Sequence, residues 1–190
     1  TAANAALYRW AGGRLQRMAG DVTVSNGLAF SPDGGTMYWS DTHAHRIYAL
    51  DFDGSDGSLS RQRVFAEFPP KTPGQDLAGY GGRPDGAAVD SEGAYWVAMY
   101  EGQRLLRLSP AGELLQEVPL PVRCPTMPCF GGAGLRTLFI TTARDDAASV
   151  ASFDGWQTRR QIGVLAPFFV CQKWTQLVQQ AKLTGVATLV

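Results

Sequence analysis

A chain of 190 residues with 45% apolar and 18% charged side chains carries enough hydrophobic material for a folded core, which excludes a mostly disordered segment. Its 17 basic and 17 acidic residues cancel and no window holds a basic cluster, so no long-range field gathers nucleic acid or an anionic membrane surface. No apolar run approaches the length needed to span a bilayer. The 22 Gly and 11 Pro are scattered in short punctuating groups, the mark of many tight turns between short strands and hence of an all-β chain.

The first residues, TAANAALYRW, lack a charged-then-apolar leader; a cytoplasmic protein is expected, with export left open because the chain does not begin with Met. Ala6 to Gly13 reads as one strand of a truncated unit. The phrase NGLAFSPDGGTMYWSD, Asn26 to Asp41, then spells an apolar strand, a Ser31-Pro32-Asp33-Gly34 turn and an aromatic strand, a hairpin by turn chemistry. His43 and His45 in DTHAHR could form half of a zinc site, but with no third ligand nearby they are expected in a surface loop. A further strand runs from Arg46 to Gly54. The acidic residues Asp33, Asp41, Asp51, Asp53 and Asp56 lack the Gly and bidentate Glu of an EF-hand loop and are read as turn formers.

After an insertion around Pro69 to Arg83, the first phrase returns as DGAAVDSEGAYWVA, Asp85 to Ala98. Met99 and Tyr100 follow it and are candidates for a channel mouth. Trp39, Tyr95 and Trp96 could stack a sugar, but are expected to pack between neighbouring units. Arg104 to Gly112 repeats the strand of Arg46 to Gly54, and a third, fainter hairpin runs from Thr126 through Gly131-Gly132 to Ala143. The three cysteines, Cys124, Cys129 and Cys171, form no CxxC pair, which argues against a disulfide framework or zinc knuckle; Cys124 and Cys129 are expected to pack as small apolar residues. Ser149 to Gly155 suits one more outer strand. Phe168 to Leu183 has apolar residues at helical spacing and reads as a short amphipathic helix in a divergent tail. The expected division is a partial propeller domain over residues 1–155 and a divergent tail over 156–190.

A strand–turn–strand phrase repeated at this period fits a β-propeller better than a sandwich, which has no reason to repeat it. Superposing Phe30, Val89 and Phe130 makes Asn26, Asp85 and Thr126 equivalent, each at the start of an inner strand. Taken locally, Asn26-Gly27 and Asp85-Gly86 are common turn dipeptides. Their shared register instead places Asn26 and Asp85 at one radius, facing the central channel together, where polar side chains invite a ligand.

The segments SNGLAFSPDG (Ser25 to Gly34), RPDGAAVDSEGAYWVAMYEGQRLLRLSPAG (Arg83 to Gly112) and CFGGAGLRTLFITTAR (Cys129 to Arg144) occur in this order and together resemble the gluconolactonase/regucalcin (SMP-30-like) family over about Ala6 to Arg144. The resemblance implies the C-terminal half of a six-bladed β-propeller, about three blades here, and metal-dependent hydrolysis of small-molecule sugar lactones. It also implies one divalent cation (calcium, zinc, manganese or magnesium) held by Asn26 and Asp85, with Asp85 also the general base. The family's metal-binding Glu, and the Arg and Asn assigned to substrate, would precede Thr1, so hydrolysis is expected to be impaired in a chain of this extent. The alternative is a propeller that binds calcium or a small ligand without turnover. Open blade edges would favour self-association.

Overall fold

The computed structural model describes residues 2–143 and 186–187. Strands β1 (Ala5–Ala11) and β2 (Arg14–Val22) are followed by an antiparallel sheet of β3 (Ser25–Phe30), β4 (Thr36–Asp41), β5 (Arg46–Phe52) and β6 (Leu59–Glu67), paired in sequence order. A second such sheet contains β7 (Arg83–Val89), β8 (Tyr95–Tyr100), β9 (Arg104–Leu108) and β10 (Leu114–Pro119). Among the described residues, β11 (Cys124–Gly131) and β12 (Thr137–Ala143) form a third, two-stranded antiparallel sheet. The two-residue strand β13 (Val186–Ala187) pairs antiparallel with β1 at Tyr8 and Arg9. The expected outer strand at Ser149 to Gly155 and the helix at Phe168 to Leu183 lie outside the described residues.

The hairpins close where turn chemistry places them. In the first, Gly34 N donates to Ser31 O at 2.9 Å and Asp33 Oδ1 accepts from Gly35 N at 3.0 Å. In the second, Gly93 N donates to Asp90 O at 3.1 Å, and Asp90 Oδ1 accepts from Glu92 N at 3.0 Å and Ala94 N at 2.9 Å. Gly34 and Gly93 have φ of 73° and 83°, the left-handed conformation that makes glycine the fitting residue at these turns.

Successive side chains of a strand point to opposite faces, so each central strand serves two cores. From β4, Met37 and Trp39 join Leu7, Val22 and Leu50 against the β1–β2 pair, while Tyr38 enters a core with Tyr95, Val97, Met99, Leu106 and Leu108 of the second sheet. From β8, Ala98 and Trp96 face the third sheet with Leu105, Leu120 and Ile140, the Trp96 ring edge-on to Phe130 at 6.1 Å. Trp39, Tyr95 and Trp96 thus pack between sheets, as expected from the sequence. Met99 belongs to this core as well and does not line a channel mouth, because it falls in phase with Tyr95 and Val97 on the packed face of β8. Asp51 departs from the expectation too: it lies within β5, where Arg61 and Arg63 of the adjacent strand pair with it and hold its carboxyl below the usual range.

Antiparallel order puts the starts of β3, β7 and β11 at one end of the sheets, together with the 42–45 turn and the 68–82 insertion. Asp41, only 3% exposed, ties this end by accepting from Thr23 N at 2.7 Å, Val24 N at 3.1 Å and Ala44 N at 3.3 Å. The insertion contains a single 3₁₀ turn, Leu77–Gly79, capped by Asp76. It is anchored by Arg123 Nη1 donating to Leu77 O at 3.0 Å and Arg104 Nε donating to Gly81 O at 3.0 Å.

His45 does not sit in a surface loop; it is 8% exposed, with Nε2 at 2.6 Å from the Tyr80 hydroxyl and Nδ1 at 3.1 Å from His43 O. Its neighbour His43 is exposed. The reason is the insertion, whose Tyr80 packs over the imidazole and removes it from water. Burial lowers the His45 pKa, reinforced by the charges of Arg83 and His43 and opposed by Asp41 and the His43 carbonyl. A histidine depressed in the folded state contributes stability above the unfolded pKa of about 6.5 and loses it as pH falls through the folded value. Denaturant unfolding at about pH 7.5 and about pH 5.5 is therefore expected to show a stability loss on acidification that shrinks in His45→Gln. An identical loss in parent and variant would place the pH dependence elsewhere.

Candidate metal and active site

The inner strands β3 and β7 share an irregularity at equivalent places: the ladder register shifts between Asn26 and Ala29, and again between Pro84 and Ala87. A bulge of this kind re-aims the side chain beside it and leaves backbone groups without a ladder partner. Gly27 sits in the first of these bulges at φ 56°, and a Cβ there would run into Ser40 Oγ, the Tyr95 hydroxyl and the Asp85 carbonyl oxygen. Glycine alone lets the two inner strands approach this closely. Gly86 does the same for the next pair, because a Cβ there would meet Thr126 O and Met127.

The close approach brings Asn26 and Asp85 together. Asn26 Nδ2 donates to Asp85 Oδ1, while Asn26 Oδ1 accepts from Gly27 N at 3.1 Å. Thr126, equivalent by alignment, does not join them; its hydroxyl lies 2.7 Å from Thr141 Oγ1 within its own hairpin. Burial pushes the Asp85 carboxyl up to about 6, offset in part by the Arg83 charge and the Asn26 hydrogen bond. Arg83 is held by Glu101 Oε2 at 3.6 Å and lies 5.0 Å from the Tyr100 ring centroid.

A half-buried carboxylate that is costly to ionise, beside an amide, offers hard oxygens of the kind calcium, magnesium or manganese take, and a cation would relieve the cost of ionisation. The donor chemistry of Asn26 and Asp85 therefore fits a divalent cation. Among the described residues there is no group of three or more His, Cys, Asp or Glu that could hold a metal, so these two would share the ion with water or with groups from outside these residues. A groove of about 590 Å³ opens between the first two sheets at the opposite end, lined in part by Tyr38, Arg63, Phe65 and Glu92. It contains no paired acid and amide, and the chemistry rather than the volume locates the candidate site.

Sequence reasoning missed three residues here. Ser40 reads as an ordinary strand residue and Tyr95 only as a packing aromatic, yet the Tyr95 hydroxyl donates to Gly27 O at 2.6 Å and lies 3.2 Å from Ser40 Oγ. Arg83 lay at the edge of the inserted segment. The one available signal was its place two residues before Asp85 in the same strand, which puts its charge near the carboxyl.

Repeated antiparallel sheets packed face to face define a β-propeller-type protein, and the polar pair at the start of adjacent inner strands is its candidate site. Residues 1–144 match the model of the SMP-30/gluconolactonase/LRE-like region, and the chain belongs to that family. A 6-deoxy-6-sulfogluconolactonase from Pseudomonas putida is 52% identical over 138 residues, covering 72% of this chain and 44% of the relative. The crystal structure of a calcium-binding protein, regucalcin, from Agrobacterium tumefaciens superposes with a TM-score of 0.66 at 28% identity, covering 77% of this chain and 47% of that one. A gluconolactonase structure from Xanthomonas campestris gives a TM-score of 0.59 at 36% identity, covering 72% and 41%. The chain thus spans somewhat less than half the length of these relatives.

Proposed function

We propose that this chain supplies part of the active site of a metal-dependent sugar lactonase, with Asn26 and Asp85 as cation ligands and Asp85 as general base. The observation that carries the reading is the meeting of Asn26 and Asp85 across two inner strands, with the Asp85 pKa raised by burial to about 6. Without a cation such a carboxyl exchanges its proton near neutral pH, and a bound cation would hold it as the anion that accepts one. A bound cation would supply Lewis acidity toward a lactone carbonyl. The chain's own residues would hold the cation, orient the attacking water and accept its proton at an Asp85 carboxylate oxygen. The relatives that are lactonases support cyclic sugar esters as the substrate class.

The test is pH-stat hydrolysis of glucono-1,5-lactone by the purified chain, with manganese, zinc or calcium added back after chelation. Weak acid release, above the spontaneous rate and lost on chelation, is the expected result. A second reading, binding of calcium or a small ligand without turnover, draws on the calcium-binding regucalcin among the solved relatives. Cation binding by calorimetry with no acid release under any metal would favour this second reading and overturn the first for this chain.

A further inference from the structure

We propose that Tyr95 is a positioning residue for the candidate site, setting where Asn26 stands relative to Asp85 by pinning the Gly27 carbonyl; this rests on the reading of Asn26 and Asp85 as cation ligands. The bulge between Asn26 and Ala29 interrupts the β3–β4 ladder. The Gly27 carbonyl finds its partner in the neighbouring sheet, accepting from the Tyr95 hydroxyl at 2.6 Å. Gly27 N meanwhile donates to Asn26 Oδ1 at 3.1 Å, so the glycine held by Tyr95 also orients the Asn26 amide. Tyr95 stands on β8, the strand paired with the β7 strand that carries Asp85, and the bond therefore ties the Asn26 strand to the Asp85 sheet. Ser40 Oγ, 3.2 Å from the phenol oxygen and itself 0% exposed, completes the anchor.

Two further observations separate this role from ordinary packing. Tyr95 is 0% exposed, and its hydroxyl is bonded across the sheet interface to Gly27 O and lies beside Ser40 Oγ. The corresponding position of the first sheet holds Met37, equally buried but without a hydroxyl. The equivalent slot one sheet earlier is filled by a purely apolar side chain, and the hydroxyl at Tyr95 is used for the Gly27 bond. The Tyr95 ring is held independently by Tyr38 at 5.0 Å and Phe65 at 5.8 Å between centroids, so Tyr95→Phe subtracts the hydroxyl and leaves the ring in place.

The experiment compares the parent chain with Tyr95→Phe, and with Ser40→Ala as a milder second variant. Each is read by the ¹⁵N–¹H resonances of the Asn26 side-chain amide in cation-free protein and by manganese and calcium affinity from calorimetry. In Tyr95→Phe the Asn26 amide resonances are expected to move toward those of a solvent-exposed amide, and cation affinity to fall by about 10- to 100-fold, as for other residues that orient a ligand from behind it. Ser40→Ala is expected to move both in the same direction by less. Unchanged amide resonances and affinity in folded Tyr95→Phe would overturn the proposal, whatever happens to its melting temperature. Should Tyr95→Phe not fold, unchanged amide resonances and affinity in Ser40→Ala would overturn it. A parent chain that binds neither cation would instead sink the reading of Asn26 and Asp85 as ligands, and the amide resonances alone would then decide the positioning role.

Discussion

In the proposed lactonase, Asp85→Asn is expected to lower cation-dependent lactone hydrolysis by at least about 10²-fold, the contribution typical of a positioned general base. Asparagine keeps the size of the side chain but can neither accept a proton nor supply negative charge to a cation. The same substitution is expected to raise the stability of the cation-free protein at neutral pH. Asp85 has a folded pKa of about 6 against an ordinary 3.8, because burial penalises its anion. The folded chain thus retains a proton that the unfolded chain releases between those values, and stability from the protonated form is lost as pH rises through that window. Above it the folded protein carries the full cost of the buried anion, and Asn removes that cost. A bound cation offsets the same cost, so proton and cation compete for Asp85: affinity for manganese or calcium in the parent should fall roughly tenfold per pH unit once pH drops below about 6. Calorimetric titration across this range, with melting curves of parent and variant without cation, checks both signs. An Asp85→Asn protein that still hydrolyses glucono-1,5-lactone at the parent rate would refute the assigned mechanism.

Trp39→Ala is expected to be the most damaging change to the fold itself, costing about 3–5 kcal/mol. Trp39 is 0% exposed, packs with Leu7, Val22, Met37 and Leu50 between the first sheet and the β1–β2 pair, and donates from Nε1 to Ser25 Oγ at 2.8 Å. The variant therefore opens a cavity and also strands a buried hydroxyl next to Asn26. Set against a domain stability of about 5–15 kcal/mol, such a loss is a large fraction of the total. Urea unfolding of the two proteins, followed by tryptophan fluorescence and by circular dichroism, measures it. A loss under about 1 kcal/mol would mean that the β1–β2 pair is not packed on the sheet as described.

The two expected results separate a site that is costly to the fold from a core that supports it. Asp85 stands at the end of the sheets where Gly27 and Gly86 let the inner strands approach closely, and its anion is destabilising until something positive shares it. Trp39 and Tyr95 stand in the packed layers between sheets. Tyr95 connects the two regions, since a hydroxyl in the packed layer reaches the glycine that places Asn26.

Features carried by short-range pattern were legible before any folding was considered. The repeated strand–turn–strand phrase, the Ser31-Pro32-Asp33-Gly34 and Asp90-Ser91-Glu92-Gly93 turns, the packing of Trp39, Tyr95 and Trp96 between sheets, and the equivalence of Asn26 with Asp85 all follow from spacing and turn chemistry. A repeat makes such inference possible, because matching two phrases also matches their places in space. Features that depend on residues far apart in the chain are set by how the elements pack. His45 is buried because Tyr80 of the insertion covers it, Asp51 pairs with arginines of the adjacent strand, and Met99 turns inward with the packed face of β8. Thr126 fails to join the pair because its hydroxyl is engaged by Thr141. The raised pKa of Asp85 and the reach of Tyr95 to Gly27 likewise arise between sheets, where desolvation and hydrogen bonding are set by neighbours that no local pattern names.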